Sequence, residues 1–401
     1  MAIFPPVEEQ LAVLVRGTAQ VETLTELRKK LERSFTTGQP LRVKYGIDPT
    51  GFDVHLGHTV PLRKLRLFQE LGHTAVLIIG TATAAVGDPS GRDASRQGLT
   101  AEQIQANANT YITQIAKVVD ITKAEVRPNG DWFNNWGFHD VLRLLGKATV
   151  QQLLAREDFS KRYNETHMPI YLHECLYPLM QGWDSVEIRA DVELGGTEQL
   201  FNLMVGRELQ RDASQEPQIP MTMPILRGTD GEKKMGKSIG NYIGVNEPPK
   251  EQFGKTMSIP DPLMREWFTL LTDLSEGEIA GILAGKPNEA KKRLGAEIVR
   301  FYHGVDAAQA VQDDWKKQFE TGGDPDEMPE ISLPASEMPV LDLIVAAGFC
   351  KSKSEARKKV EEGAFNFGPD RTKPSDFKAT VPVSDGLVIR LGRKVVRLRI
   401  A

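Results

Sequence analysis

A chain of 401 residues, 40% hydrophobic and 26% charged, has the composition of a soluble globular protein of two or three domains. Its formal net charge of -4 excludes a generally basic nucleic-acid binder, so any contact with a polyanion must be local. Two distant cysteines, Cys175 and Cys350, support neither a disulfide framework nor a zinc site, and Met1-Ala2-Ile3-Phe4-Pro5-Pro6 lacks a signal-peptide pattern; with no long apolar run, a cytoplasmic protein without a membrane span is expected.

Leu41 to Ile47 reads as a strand, and Asp48-Pro49-Thr50-Gly51 breaks it. His58 to Leu71 has helical apolar spacing closed by Gly72, and Ala75 to Ile79 is a second strand. Strand, helix, strand in that span is a βαβ unit, which implies parallel strands. With further strands predicted at Val186 to Val192 and Ile219 to Leu226, the expected fold is α/β with a doubly wound parallel sheet over 1–246, interrupted by a helical insertion at about 101–165. Residues 247–321 read as an α-helical domain, with helices at Met264 to Leu271, Glu276 to Leu283 and Ala290 to Tyr302. A linker over 322–338, rich in Gly, Pro and Asp at its start, precedes a small α+β domain at 339–401. There, helices at Val340 to Ala347 and Lys353 to Glu362 lead to Ala364 to Phe367 and strands at Leu387 to Leu391 and Val395 to Ile400. That last segment carries 13 Lys plus Arg against 7 Asp plus Glu, a net +6 against -10 for the remainder, and is the part suited to face RNA.

His55 and His58 stand three residues apart at the opening of the helix that follows the first strand, beside free backbone N–H groups. That is a phosphate site, and Gly57 lets a nucleotide approach the backbone. Gly231 to Ser238 satisfies the P-loop pattern, yet Ile239-Gly240-Asn241-Tyr242-Ile243-Gly244 after it is poor in helix formers, whereas a P-loop must open a helix. Read as a loop, Lys234 and Lys237 are cations able to reach the same triphosphate from the side opposite the histidines.

Together, His55-Leu56-Gly57-His58 and Lys234-Met235-Gly236-Lys237-Ser238 resemble the HIGH and KMSKS signatures of class I aminoacyl-tRNA synthetases. Gly46-Ile47-Asp48-Pro49-Thr50, Val86 to Gly91, Tyr177 to Ser185 and Gly195 to Gln199 are similar to segments of the bacterial tyrosyl-tRNA synthetase family, and Ala346 to Arg357 resembles an S4 RNA-binding domain. The resemblance implies activation of tyrosine by ATP, accompanied by Mg²⁺, and transfer to tRNA(Tyr) by a homodimer, with no tightly bound cofactor and no metal-binding residues. It implies that Thr50, His55, His58, Lys234, Lys237 and Ser238 stabilise the phosphates, and that Asp88, Tyr177 and Gln181 hold the α-ammonium group while Asp184 takes the phenol hydrogen. Gly46, Asp48, Thr50, Gly57, Gly196, Glu198, Gln199 and Lys237 would line the ATP site, and Lys351, Lys353, Arg357 and Lys358 would meet RNA. Tyr177, Gln181 and Asp184 at i, i+4 and i+7 share one face of a helix, which suits one wall of a pocket.

One position departs from the family pattern: Lys44 stands where a tyrosine often bonds the substrate phenol. Tyr45 cannot substitute, because neighbours on a strand face opposite ways. Lys44 is expected either to donate to the phenol oxygen while Asp184 accepts the phenol proton, or to be a structural lysine paired with a carboxylate. The competing functions are a tryptophanyl-tRNA synthetase, for which Asp184 is less suited, a P-loop NTPase and a non-catalytic S4 RNA-binding protein.

Overall fold

The computed structural model describes residues 4–49, 53–89, 100–319, 328–334, 337–392 and 394–400. They form two compact units, Met1–Ala308 and Gln309–Ala401.

The first unit is built on a six-stranded sheet: β1 (Gln20–Val21), β2 (Arg42–Ile47), β3 (Thr74–Ile79), β4 (Glu125–Pro128), β5 (Val192–Gly196) and β6 (Ile219–Met223). Their order is β1-β6-β5-β2-β3-β4; only β1 runs antiparallel to its neighbour. Around them lie helices α1 (Val7–Val15), α2 (Leu24–Thr37), α3 (Leu56–Glu70), α4 (Ala101–Ile115), α5 (Tyr177–Ile188) and α6 (Leu200–Asp212). Four more follow, α7 (Pro249–Met257), α8 (Met264–Leu271), α9 (Glu276–Leu283) and α10 (Pro287–His303). Strand β3 is buried along five of its six residues, as expected of a parallel strand covered on both faces. Leu62, Leu65 and Phe68 seal α3 onto the sheet, and Gly72 ends it with φ +96°, a conformation costly for any residue with a Cβ. One core runs from Leu11 through the sheet to Trp267, Leu294 and Ile298, so α8 and α10 share it with the strands.

Chain order reverses between β5 and β2: from β2 the chain moves outward through β3 and β4, then returns to β5 and β6 on the other side. A crevice opens at such a point, outside the carboxyl ends of the two strands.

Val186 to Val192 is not one strand: helix α5 continues to Ile188, Arg189 closes it in the left-handed region at φ +50°, and β5 begins only at Val192. The insertion over 101–165 is not wholly helical either, because Glu125–Pro128 pairs in parallel with β3 and forms the sheet edge.

The second unit contains β7 (Glu330–Leu333), β8 (Glu337–Pro339), α11 (Val340–Ala346), α12 (Lys353–Glu361), β9 (Phe365–Phe367), β10 (Thr380–Pro382), β11 (Val388–Leu391) and β12 (Lys394–Ile400). A four-stranded sheet, β7-β12-β11-β9, packs Ile389 and Leu398 against Val340, Leu343 and Ala356 of the two helices. Part of the segment read as a linker over 322–338 is therefore structured: β7 joins β12 in parallel. Residues 322–327 and 335–336 of that segment lie outside the described residues.

Candidate active site

At the crevice beyond β2 and β5 lies a cleft of about 420 Å³. Helix α5 forms one wall and places Tyr177, Gln181 and Asp184 along it. Tyr177 Oη donates to Asp48 Oδ2 at 2.8 Å, at the end of β2. Gln181 donates from Nε2 to Glu193 at 3.2 Å and accepts from Asn202 Nδ2 at 2.9 Å, so its amide has a fixed orientation. Asp88 accepts from Gln199 Nε2 at 2.8 Å, with the Arg156 guanidinium 3.6 Å away. Asp184, only 3% exposed, accepts from Trp132 Nε1 at 3.1 Å and Asn129 Nδ2 at 3.4 Å. Burial pushes the Asp184 carboxyl up to about 7, while the Lys44 charge and the two donors pull the other way.

The opposite wall begins at His55, the N-cap of α3. His58 Nδ1 accepts from the His55 backbone N–H at 3.2 Å, which leaves Nε2 as the ring donor of a neutral His58. The two rings stack with centroids 3.7 Å apart. Burial, with the neighbouring ring and the Lys237 charge adding to it, depresses His55 to about 2; burial and Lys237 depress His58 to about 4. Both rings are neutral donors at the mouth of a helix whose N-terminus favours anions. A Cβ at Gly57 would lie 3.1 Å from the His55 ring, so glycine keeps this turn closed and its backbone open to the cleft.

The loop carrying the second motif is tied to the first. Leu56 N–H donates to Ile243 O at 2.9 Å and Val245 N–H to Val54 O at 3.0 Å, a short strap joining the segment after Ser238 to the start of α3. Asn241 braces the loop, accepting from Gly236 N–H and donating to Asp230, both at 2.8 Å. Lys234 lines the cleft and its charge is felt by Glu198, whereas Lys237 lies 3.8 Å from Asp53, beside the histidines. Among the described residues no helix starts between Ser238 and Pro249, so Gly231 to Ser238 does not open the helix that a P-loop requires.

The family description "tRNA synthetases class I (W and Y)" matches residues 36–320, and "Tyrosine--tRNA ligase SYY-like C-terminal domain" matches residues 318–395. The chain is 49% identical to the tyrosine–tRNA ligase of Symbiobacterium thermophilum, over 98% of this chain and 97% of that protein. It is 46% identical to that of Moorella thermoacetica, over 98% and 96%. The chain belongs to the tyrosine–tRNA ligase family. As a tyrosine–tRNA ligase it is an aminoacyl-tRNA ligase, an enzyme of class I. The fold of the first unit is shared with a C-terminally truncated mitochondrial tyrosyl-tRNA synthetase of Aspergillus nidulans, at TM-score 0.63 and 23% identity over 78% of this chain and 94% of that one.

For this tyrosine–tRNA ligase the cleft gathers Gly46, Asp48, His55, Gly57, His58, Asp88, Tyr177, Gln181, Asp184, Gly196, Glu198, Gln199 and Lys234 from six separate stretches of sequence. A Cβ on Gly196 would fall 2.3 Å from the Glu198 carboxylate, so that carboxylate can turn back over the strand end only beside glycine. Lys237 and Ser238 share the loop with Lys234 but are not on the cleft wall, and Thr50 lies outside the described residues. Lys44 corrects the first of its two expectations. Its ammonium group donates to Gln181 O at 2.7 Å and Ser185 Oγ at 2.8 Å and pairs with Glu193 at 2.8 Å, which uses all three protons and leaves none for a phenol. No sequence motif points to Asn129, Trp132 and Arg156, yet each reaches Asp184 or Asp88 from the insertion over 101–165. In the second unit Lys351, Lys353, Arg357 and Lys358 are all exposed on or beside α12. Of these, Lys353 pairs with Asp342, and Arg357 pairs with Glu361 and lies 4.0 Å over the Phe377 ring.

Proposed function

We propose that the cleft binds tyrosine against α5 and ATP across α3 and the Lys234 loop, and joins them as tyrosyl-adenylate before transfer to tRNA(Tyr). One observation carries the reading: acceptors for an ammonium group and a phenol converge on one wall, and neutral histidines, a helix N-terminus and a lysine on the other. Asp88, Tyr177 and Gln181 take the α-ammonium group, and Asp184 accepts the phenol hydrogen. Trp132 and Asn129 aim its carboxylate. Preference for tyrosine over phenylalanine follows because a pocket that bonds a hydroxyl leaves buried partners unsatisfied when the hydroxyl is missing, a principle for which tyrosine-specific synthetases are the standard example.

Tyrosine's carboxylate oxygen attacks the α-phosphorus of ATP, and pyrophosphate leaves with the electrons of the broken P–O bond. A ribose hydroxyl of the tRNA then attacks the tyrosyl carbonyl and AMP departs. No protein nucleophile takes part; the rate comes from alignment and from stabilising charge on the phosphates. His55 and His58 serve as neutral hydrogen-bond donors, and Lys234, Lys237 and Ser238 approach from the loop, with Thr50 assigned to the same group. Gly46, Asp48, Gly57, Gly196, Glu198 and Gln199 surround the nucleotide, Glu198 serving as ribose acceptor. Mg²⁺ enters with the ATP phosphates as part of the substrate.

The residue ranges 1–246, 247–321 and 339–401 serve as catalytic, helical and S4-like RNA-binding domains, with Lys351, Lys353, Arg357 and Lys358 against the RNA backbone. Large apolar side chains stand exposed between residues 138 and 172, among them Phe138, Val150 and Leu172 at 73%, 68% and 87%. This surface supports self-association as a homodimer. No helix among the described residues is long and apolar enough to cross a membrane. The substrates assign the enzyme to the cytoplasm, where translation draws on them.

Amino-acid-dependent ATP–pyrophosphate exchange with tyrosine, tryptophan and phenylalanine in parallel tests the reading. Exchange with tyrosine alone is expected; exchange with tryptophan but not tyrosine overturns it.

A further inference from the structure

Beneath the amino-acid wall lies a charged cage that touches neither ATP nor tyrosine in the reading above. Lys44 on β2 and Glu193 on β5 are direct partners in the parallel register, so both side chains leave the sheet on the same face, toward α5. Their side chains are 0% and 1% exposed. Lys44 reaches the carbonyl of Gln181 and the hydroxyl of Ser185. Glu193 accepts from Lys44 and Gln181 Nε2 on one oxygen, and from Ser185 Oγ and Gln218 Nε2 on the other.

The cage has no slack. A Cβ on Gly206 of α6 would lie 2.6 Å from Gln218 Nε2 and 3.2 Å from Ser185 Oγ, and one on Gly182 of α5 would lie 3.0 Å from the Gly206 nitrogen. The two helices therefore meet backbone to backbone directly above the pair, and a side chain at either glycine would pry them apart.

Stability alone is a poor reason for such a pair, since desolvating two charges offsets most of their attraction, and apolar residues of similar volume hold a fold as well. What distinguishes this pair is what it grips. Gln181 and Ser185 bracket the turn of α5 that carries Asp184, so the ammonium fixes both the rotation and the axial position of that turn. We propose that the buried Lys44–Glu193 pair is a positioning device for the amino-acid wall, setting Gln181 and Asp184 for the ammonium and phenol groups of tyrosine. The proposal rests on the assignment of Gln181 and Asp184 as tyrosine ligands. Lys44 thus serves specificity from behind the helix, at a position where a pocket-lining side chain would have touched the substrate.

The test is ATP–pyrophosphate exchange with separate KM values for tyrosine and ATP, run beside urea unfolding. Lys44→Met alone strands a buried carboxylate and lowers stability, so the informative enzyme is Lys44→Met/Glu193→Gln, which removes both charges together. Its tyrosine KM is expected to rise about tenfold, with ATP KM within about twofold and the unfolding midpoint near that of the parent. Ser185→Ala, which keeps the ion pair and removes one of its grips, raises tyrosine KM about threefold. A folded double variant with the parent tyrosine KM overturns the proposal. Should the double variant not fold, a parent KM in Ser185→Ala overturns it. Gln181→Ala and Asp184→Asn in the same series separate the two levels: if they leave tyrosine KM unchanged, the assignment of the wall is wrong, whereas a rise in them alone refutes only the positioning role.

Discussion

The two walls of the cleft are built in opposite ways. The amino-acid wall is a helix pressed on a neighbouring helix at Gly182 and Gly206, with Gln181 bonded on both sides of its amide and Asp184 held by an indole and an amide. The nucleotide wall pairs a rigid helix mouth with a loop lacking regular secondary structure, where Lys234 is exposed and Lys237 half-buried. The contrast matches the two tasks proposed for the walls. Choosing one amino acid requires partners that cannot adapt to another, while holding a polyphosphate that must react and leave requires charge delivered from a part able to adjust.

The walls should therefore fail separately. The largest effect is expected for Lys234→Ala/Lys237→Ala, which lowers the turnover of pyrophosphate exchange about 10³-fold through lost phosphate stabilisation while tyrosine KM stays within about twofold. Next comes Asp184→Asn, for which kcat/KM for tyrosine falls about 10²-fold, most of it in KM, with ATP KM unchanged. A rise in ATP KM as large as the rise in tyrosine KM would show that the walls are not independent.

Acid should weaken the fold through its buried rings. His55, His58 and His73 are depressed from 6.5 to about 2, 4 and 4, so the folded state keeps them neutral where the unfolded chain takes up protons. Their contribution is complete above about pH 6.5 and is lost as pH falls from there toward 4. Asp184, raised from 3.8 to about 7, binds its proton first in the folded state and offsets part of that loss over the same window. The net is a fall on the order of several kcal/mol, set by protons that the unfolded chain takes up on imidazoles which burial keeps neutral in the fold, readable as a drop in urea midpoint between pH 6.5 and 4.5. An unchanged midpoint would contradict the buried, neutral state of these histidines. The smallest effect belongs to the second unit. Lys351→Ala/Lys358→Ala should raise the KM for tRNA about fivefold and flatten its salt dependence, leaving tRNA-independent exchange untouched.

Much of the site was legible in the sequence because its motifs are local. His55 and His58 cap a helix that apolar spacing already announces, and Tyr177, Gln181 and Asp184 recur at helical intervals. What could not be read were contacts across the sheet and from the insertion. Nothing near Lys44 in sequence points to Glu193; only the strand register sets them side by side. Asn129 and Trp132 reach Asp184 because β4 pairs with β3, and β4 has four residues with charged Glu125 and Arg127 among them, too short and too polar to stand out as a strand. Val186, Ile188, Ala190 and Val192 alternate as a strand would, yet a buried helix end followed by a buried strand start gives the same pattern.

Tyrosine binding to the Lys234→Ala/Lys237→Ala enzyme, measured at equilibrium without ATP, addresses the separation of the two walls most directly. A dissociation constant equal to that of the parent enzyme, alongside the collapse of adenylate formation, is the predicted result. A tenfold or greater weakening of tyrosine binding would contradict it.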